Sequence, residues 1–126
     1  MTEFNGVSPS LRVTDLDASL AFYTDVLGFV VDTLWPADAP TLAILDHGPV
    51  HLMLRTEGCH EDPSPAFTGD LRFDVAGVEE LASALRGRVE IEWGPEVYHY
   101  GRREFGVRDP DGYLLIFSEP ASRPAG

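Results

Sequence analysis

The side chains best suited to chemistry are few, and their spacing limits what they can do. Cys59, His60, Glu61 and Asp62 place four metal-ligating types in consecutive positions. A structural zinc site draws its ligands in spaced pairs, so this tract reads as a solvated loop rather than a metal centre. His47, His51 and His99 are scattered, and no two of the four histidines stand at i, i+4 around a glutamate, as a helical zinc-hydrolase motif requires. The chain has no Gly-x-Ser-x-Gly elbow, no phosphate-cradling Walker loop and no dinucleotide-binding glycine pattern. Local motifs thus specify no nucleophile, metal or nucleotide.

The elements that would position any site repeat once. Pro9, Leu11 and Val13 alternate with Ser8, Ser10 and Arg12, which predicts a strand with one apolar face. Pro9 cannot donate to a ladder, so the strand belongs at an edge or is exchanged between subunits. Asp15 is a suitable N-cap, and Leu16, Leu20, Tyr23 and Leu27 form a helical stripe ending at Gly28. Strands are expected at 29–35, 41–46 and 50–55. The same order returns with a strand at 70–75 and a helical stripe of Val78, Leu81, Ala82 and Leu85. Strands at 88–93, 103–107 and 113–118 follow, the last two joined by a type I turn at Asp-Pro-Asp-Gly, 109–112. The polar, proline-bearing stretch 57–68 separates the halves, and the last residues, 121–126, read as frayed.

This is an α+β pattern, two βαβββ modules in one domain spanning 1–126. Module one runs over about 6–56, the linker over 57–68 and module two over about 69–120. With a helix covering one face of each module, Ser8, Ser10, Arg12, His51, Met53, Arg55, Asp70, Arg72, Asp74, Leu114, Ile116 and Ser118 fall on the opposite faces. Side by side, those faces would form a cup-shaped mixed sheet, the place to seek function. Alternatively, Arg12, Arg72 and Asp74 there simply pair across strands.

A formal net charge of −12, from 21 carboxylates against nine arginines, disfavours phosphate backbones and anionic bilayers. It also suits solubility alone. No apolar run is long enough for a transmembrane helix, and the first residues lack the pattern of a signal peptide. A single cysteine, Cys59, makes no internal disulfide, which fits a reducing cytoplasm.

The stretches "VTDLDASLAFYTDVLGF" and "YGRREFGVRDPDGYLLIFSEP", together with the module order, resemble the vicinal oxygen chelate superfamily over about Gly6 to Pro120. This superfamily includes glyoxalase I, extradiol dioxygenases, fosfomycin-inactivating enzymes and bleomycin resistance proteins. The resemblance implies three metal-ligand positions. A His or Gln three residues before Leu11 is here Ser8, a His opening module two is Asp70, and a Glu four residues after Gly112 is Ile116. Serine is a poor ligand, aspartate a possible one, and isoleucine has no lone pair to offer. The expectation is a protein without metal or other cofactor.

The metal-free bleomycin resistance group, which this chain resembles in character, binds its drug unaltered. Its members are intertwined homodimers, with aromatic rings stacked on the drug and acids facing its cations. The resemblance implies a small-molecule partner, such as an aromatic antibiotic, and a role in antibiotic resistance or self-protection by sequestration. Candidate ligand-binding residues are Trp35, Asp38, His51, Met53, Asp70, Trp93, Glu96, Tyr98, Tyr100 and Ile116, with no catalytic residue among them.

Each candidate also has an ordinary structural role. Trp35 would plug the end of the core, Tyr98, His99 and Tyr100 would form a loop at a subunit contact, and His51 would be satisfied by a protein partner. Two rival functions stand beside capture. One is a lyase, isomerase or dioxygenase of the same fold, using a metal held by Asp70 and His51 or acid–base work by Asp70, His51 or Glu104. The other is a protein-binding module whose uncovered face is the interface.

Overall fold

In the computed structural model, which describes residues 2–3, 5–56 and 69–121, the two halves take the same topology. Cys59, the tract it opens, the stretch 57–68 and residues 122–126 lie outside the described residues. Two compact units, Met1–Ala66 and Phe67–Gly126, each build their own sheet.

In the first unit, β1 (Ser10–Arg12) leads into α1 (Leu16–Ala21). Asp15 caps α1, its Oδ1 accepting from the Ala18 N–H at 3.1 Å. The helix does not run on to Leu27 in regular α form, because Phe22–Val26 is a π-helical turn. The Leu27 N–H reaches back to the Phe22 carbonyl at 3.2 Å, and the Thr24 hydroxyl donates to the Leu20 carbonyl at 2.6 Å. A hydroxyl that engages the carbonyl four residues back competes with the helical ladder and widens it. The apolar stripe survives the widening: Leu16, Tyr23 and Leu27 are buried.

β2 (Val30–Trp35), β3 (Leu42–His47) and β4 (Val50–Arg55) complete the unit. The sheet order is β1-β4-β3-β2, with β1 parallel to β4 and the other pairs antiparallel. β1 is therefore an edge strand, as Pro9 requires. Leu11, Val13, Ala43, Leu45, Leu52 and Leu54 are buried, so one sheet face holds the core. The other edge is unusually apolar: Val30 is 67% and Trp35 64% exposed. Trp35 does not plug the core.

The second unit repeats the plan with β5 (Leu71–Asp74), α2 (Val78–Leu85), β6 (Ile91–Tyr98), β7 (Arg102–Arg108) and β8 (Leu114–Pro120). Its order is β5-β8-β7-β6, with β5 parallel to β8. Phe73, Phe105, Val107, Leu115 and Phe117 face the buried side with Val78, Ala82 and Leu85 of α2. The turn before β8 forms as expected, the Gly112 N–H bonding to the Asp109 carbonyl at 2.9 Å.

α2 has no side-chain N-cap of its own, since Gly77 occupies that position. Glu119 of β8 supplies one instead: its two carboxylate oxygens accept from the Gly77 and Val78 N–H groups at 3.1 Å each. The strand expected at 88–93 is corrected. It starts later and runs through Pro95 to Tyr98, with register shifts on either side of Trp93. Two irregularities let one strand carry glycine and proline without ending.

Candidate functional site

The face of the second sheet opposite α2 gathers most of the polar and aromatic candidates, and the ladder register explains why. Trp93 is opposite Gly106, Glu96 opposite Glu104 and Tyr98 opposite Arg102. Across β8, Glu104 pairs with Ser118 and Gly106 with Ile116; on β5, Arg72 pairs with Ile116 and Asp74 with Ser118. Side chains in register on one face become neighbours. Trp93, Glu96 and Tyr98 thus belong to a strand rather than to a loop, which corrects the expectation for Tyr98.

Trp93 lies flat over Gly106. A Cβ on that glycine would stand 2.7 Å from Trp93 Cε2, too close for any other residue without moving the ring. The Trp93 and Tyr98 rings meet edge to face, with centroids 5.9 Å apart and planes at 85°. Tyr98 stacks on Tyr100 at 5.8 Å and 9°, and His99 meets Tyr100 edge-on at 5.3 Å. These separations fall in the range where aromatic pairs attract. Tyr100 remains 44% exposed, so the ladder ends in an accessible ring.

Beside the rings runs a chain of charged hydrogen bonds. Glu104 is 1% exposed and accepts from the Arg72 guanidinium at 2.7 Å, the Ser118 hydroxyl at 2.9 Å and the Tyr100 hydroxyl at 2.5 Å. The Ser118 oxygen accepts from Arg102 Nε at 2.5 Å, and Arg102 also bonds Asp74 at 2.7 Å. Asp70 pairs with Arg72 Nε at 3.2 Å. A buried carboxylate with three donors meets the requirement that buried charge be compensated.

The Tyr98 hydroxyl donates to Glu96 at 3.0 Å. Burial, with that bond added, pushes the Tyr98 pKa up to about 12. Tyr100 is also raised, chiefly by its bond to Glu104. Both rings therefore stay protonated phenols through the neutral range.

The first unit brings its candidates together less closely. On its uncovered face Trp35, Leu42, Arg55 and Arg12 share one cross-strand row, Met53 sits in the next, and His51 lies beyond. Asp38 is exposed in the bend after β2. His51 Nδ1 contacts Asp46 Oδ1 at 2.5 Å, so this histidine has the protein partner that the plainer reading required. With Ser8, Asn5, Gly6, Val7 and Pro49, His51 borders an open depression of about 530 Å³.

The three positions where the resemblance implies metal ligands do not suit a metal. Ser8 is an exposed hydroxyl, the Asp70 carboxylate is engaged by Arg72, and Ile116 is buried hydrocarbon. No three His, Cys, Asp or Glu side chains cluster with metal-site geometry among the described residues. Two parts of the face escaped the residue-by-residue reading. Gly106 is visible only through the ring above it, and Glu104, weighed there only as an acid–base group, proves to be the hub of the network.

Comparison with known proteins places this geometry. The family model for the Glyoxalase/Bleomycin resistance protein/Dioxygenase superfamily matches residues 6–117. No curated protein sequence matches significantly. Among solved structures, TioX from Micromonospora sp. ML1 superposes with a TM-score of 0.77 at 23% identity, covering 93% of this chain and 99% of that one. A virulence protein from Salmonella typhimurium gives 0.74 at 24%, covering 96% and 100%. A lactoylglutathione lyase from Agrobacterium tumefaciens gives 0.70 at 22%, covering 94% and 96%. At these identities the likeness is one of fold.

Proposed function

The chain belongs to the glyoxalase/bleomycin resistance protein/dioxygenase superfamily, and from that footing we propose that it binds and sequesters a flat aromatic small molecule bearing a cationic group, such as an antibiotic, without altering it. The observation that carries this reading is the ladder of Trp93, Tyr98 and Tyr100, open at the Tyr100 end and flanked by Glu96. Ring faces attract planar groups and cations, and the Glu96 carboxylate beside Tyr98 favours a positive charge. Of the positions where the resemblance implies metal ligands, Asp70 supplies an arginine-paired acid, and Ile116 is buried within the sheet rather than open to a ligand.

The proposed binding form is a homodimer in the cytoplasm, with drug resistance or self-protection as the outcome. Val30, Leu34 and Trp35, exposed on the edge strand β2, offer apolar surface for such an assembly. Within the first unit, Trp35, Asp38, His51 and Met53 stay as separate candidates for ligand contact. Turnover by Glu104 is a poorer reading, because both its oxygens are occupied and it is closed to solvent.

A thermal-shift screen against cationic aromatic antibiotics tests the proposal. Ligand at a hundred times its dissociation constant adds about 2.7 kcal/mol of stability, an easily resolved rise in midpoint. The hit should lose its effect in Trp93→Ala and Tyr98→Ala. A broad panel that leaves the midpoint unmoved would overturn the reading.

A further inference from the structure

Resting on the capture reading, we infer that Glu104 is the positioning residue of the aromatic ladder: it holds the exposed Tyr100 ring in the orientation that receives a ligand's cation. Glu104 is buried on β7, whereas Tyr100 lies in the turn before that strand and is the most exposed of the stacked rings. A tyrosine in such a turn would ordinarily sample several rotamers. Here Glu104 Oε1 takes the Tyr100 hydroxyl at 2.5 Å, and the ring stacks within 9° of parallel on Tyr98.

The anchor is itself anchored. Glu104 Oε2 is shared by Arg72 of β5 and Ser118 of β8, and Arg102 of β7 holds Ser118 in turn. Three strands therefore fix the carboxylate that fixes the ring. The effect of these groups on a ligand passes through the Tyr100 ring. Two consequences favour binding. The ring is ordered before a ligand arrives, so that ordering is not charged against affinity. A phenol that donates to a carboxylate also carries a more electron-rich face, an effect that the Arg72 guanidinium beside the same hydroxyl reduces but, since the phenol's pKa stays raised, does not reverse.

The test uses 9-aminoacridine, a flat monocation, with the whole chain as wild type, Glu104→Gln and Tyr100→Phe. Binding is followed by equilibrium dialysis, and tyrosine ionisation by absorbance at 295 nm. Glu104→Gln keeps the shape but loses the charge, and Tyr100→Phe cuts the bond while leaving the buried ion pair whole. Both should bind the probe roughly tenfold more weakly, equivalent to ~1.4 kcal/mol. In Glu104→Gln the Tyr100 phenol should also titrate earlier, closer to an ordinary tyrosine, and the near-ultraviolet circular dichroism of the stacked rings should weaken in both variants. Wild-type affinity in Tyr100→Phe, or an unchanged phenol titration in Glu104→Gln, overturns the inference. If the wild type itself fails to bind, the capture reading loses its support from this probe, and the titration and dichroism alone decide the role of Glu104.

Discussion

The indole of Trp93 lies across Gly106 with no room between them: a methyl group added at the glycine would come within 2.7 Å of Cε2. The ladder starts from this contact, since Trp93 meets Tyr98 and Tyr98 meets Tyr100. Gly106→Ala should lift the indole off the sheet. The expected cost is about 1–3 kcal/mol of stability, typical of overpacking. In a Trp35→Phe background, which leaves Trp93 as the sole tryptophan, its emission should shift toward that of a solvated indole. Unchanged emission would show that the ring does not rest on the glycine.

Glu119 should make the second unit acid-sensitive. Its bonds to Gly77 and Val78, followed by the nearby Arg103, hold its carboxyl below the usual range. A carboxyl depressed in the folded state adds stability that is present above the unfolded pKa and is lost as pH falls through the folded value. Glu119→Gln should cost about 1 kcal/mol at neutral pH, as loss of a helix cap does. The gap between variant and wild type in urea unfolding should close in acid. A gap independent of pH would count against the charge.

Tyrosine titration should be split. Tyr98, at about 12, should ionise well after an ordinary phenol, and Tyr98→Phe should remove one phenol's amplitude from the late absorbance rise at 295 nm. A raised pKa means that the stabilisation is complete below about pH 10 and is lost as pH rises toward the folded value. Alkaline unfolding of the wild type should therefore start in that interval. A Tyr98→Phe variant whose late absorbance rise keeps the full wild-type amplitude would refute the assignment.

Chelation should do nothing. The residues at the family's ligand positions are Ser8, an arginine-bound Asp70 and a buried Ile116. Dialysis against EDTA, or addition of zinc or nickel, should leave the thermal midpoint and the affinity for an identified ligand unchanged. A midpoint that rises with a saturating metal would reveal a binding site these residues do not suggest.

Much of the architecture could be read from side-chain alternation. Leu11 and Val13, or Phe73 with Phe105 and Phe117, are buried because period-two patterning leaves them only one side on which to escape water. The course of β6 could not be read that way. Gly94 and Pro95 look like a strand end, yet paired irregularities absorb both, and the strand goes on to carry Glu96 and Tyr98. The π turn at Phe22–Val26, accompanied by the Thr24 hydroxyl's bond to the Leu20 carbonyl, is something an apolar stripe cannot reveal. The candidate site was legible in its aromatic residues and in the missing ligands at Ser8 and Ile116. It was not legible in its wiring. That Glu104 joins Arg72, Tyr100 and Ser118 follows from cross-strand register among residues up to 46 positions apart, since Arg72 and Ser118 come from β5 and β8.

The cap on α2 bears on how the chain is made. Ribosomes release Gly77 and Val78 long before Glu119, so a nascent chain carries the whole helix while the N–H groups at its start lack the carboxylate they later bind. The cap is completed only when β8 docks. In that interval its apolar face also lacks Leu115 and Phe117, the β8 side chains later buried on the same side of the sheet.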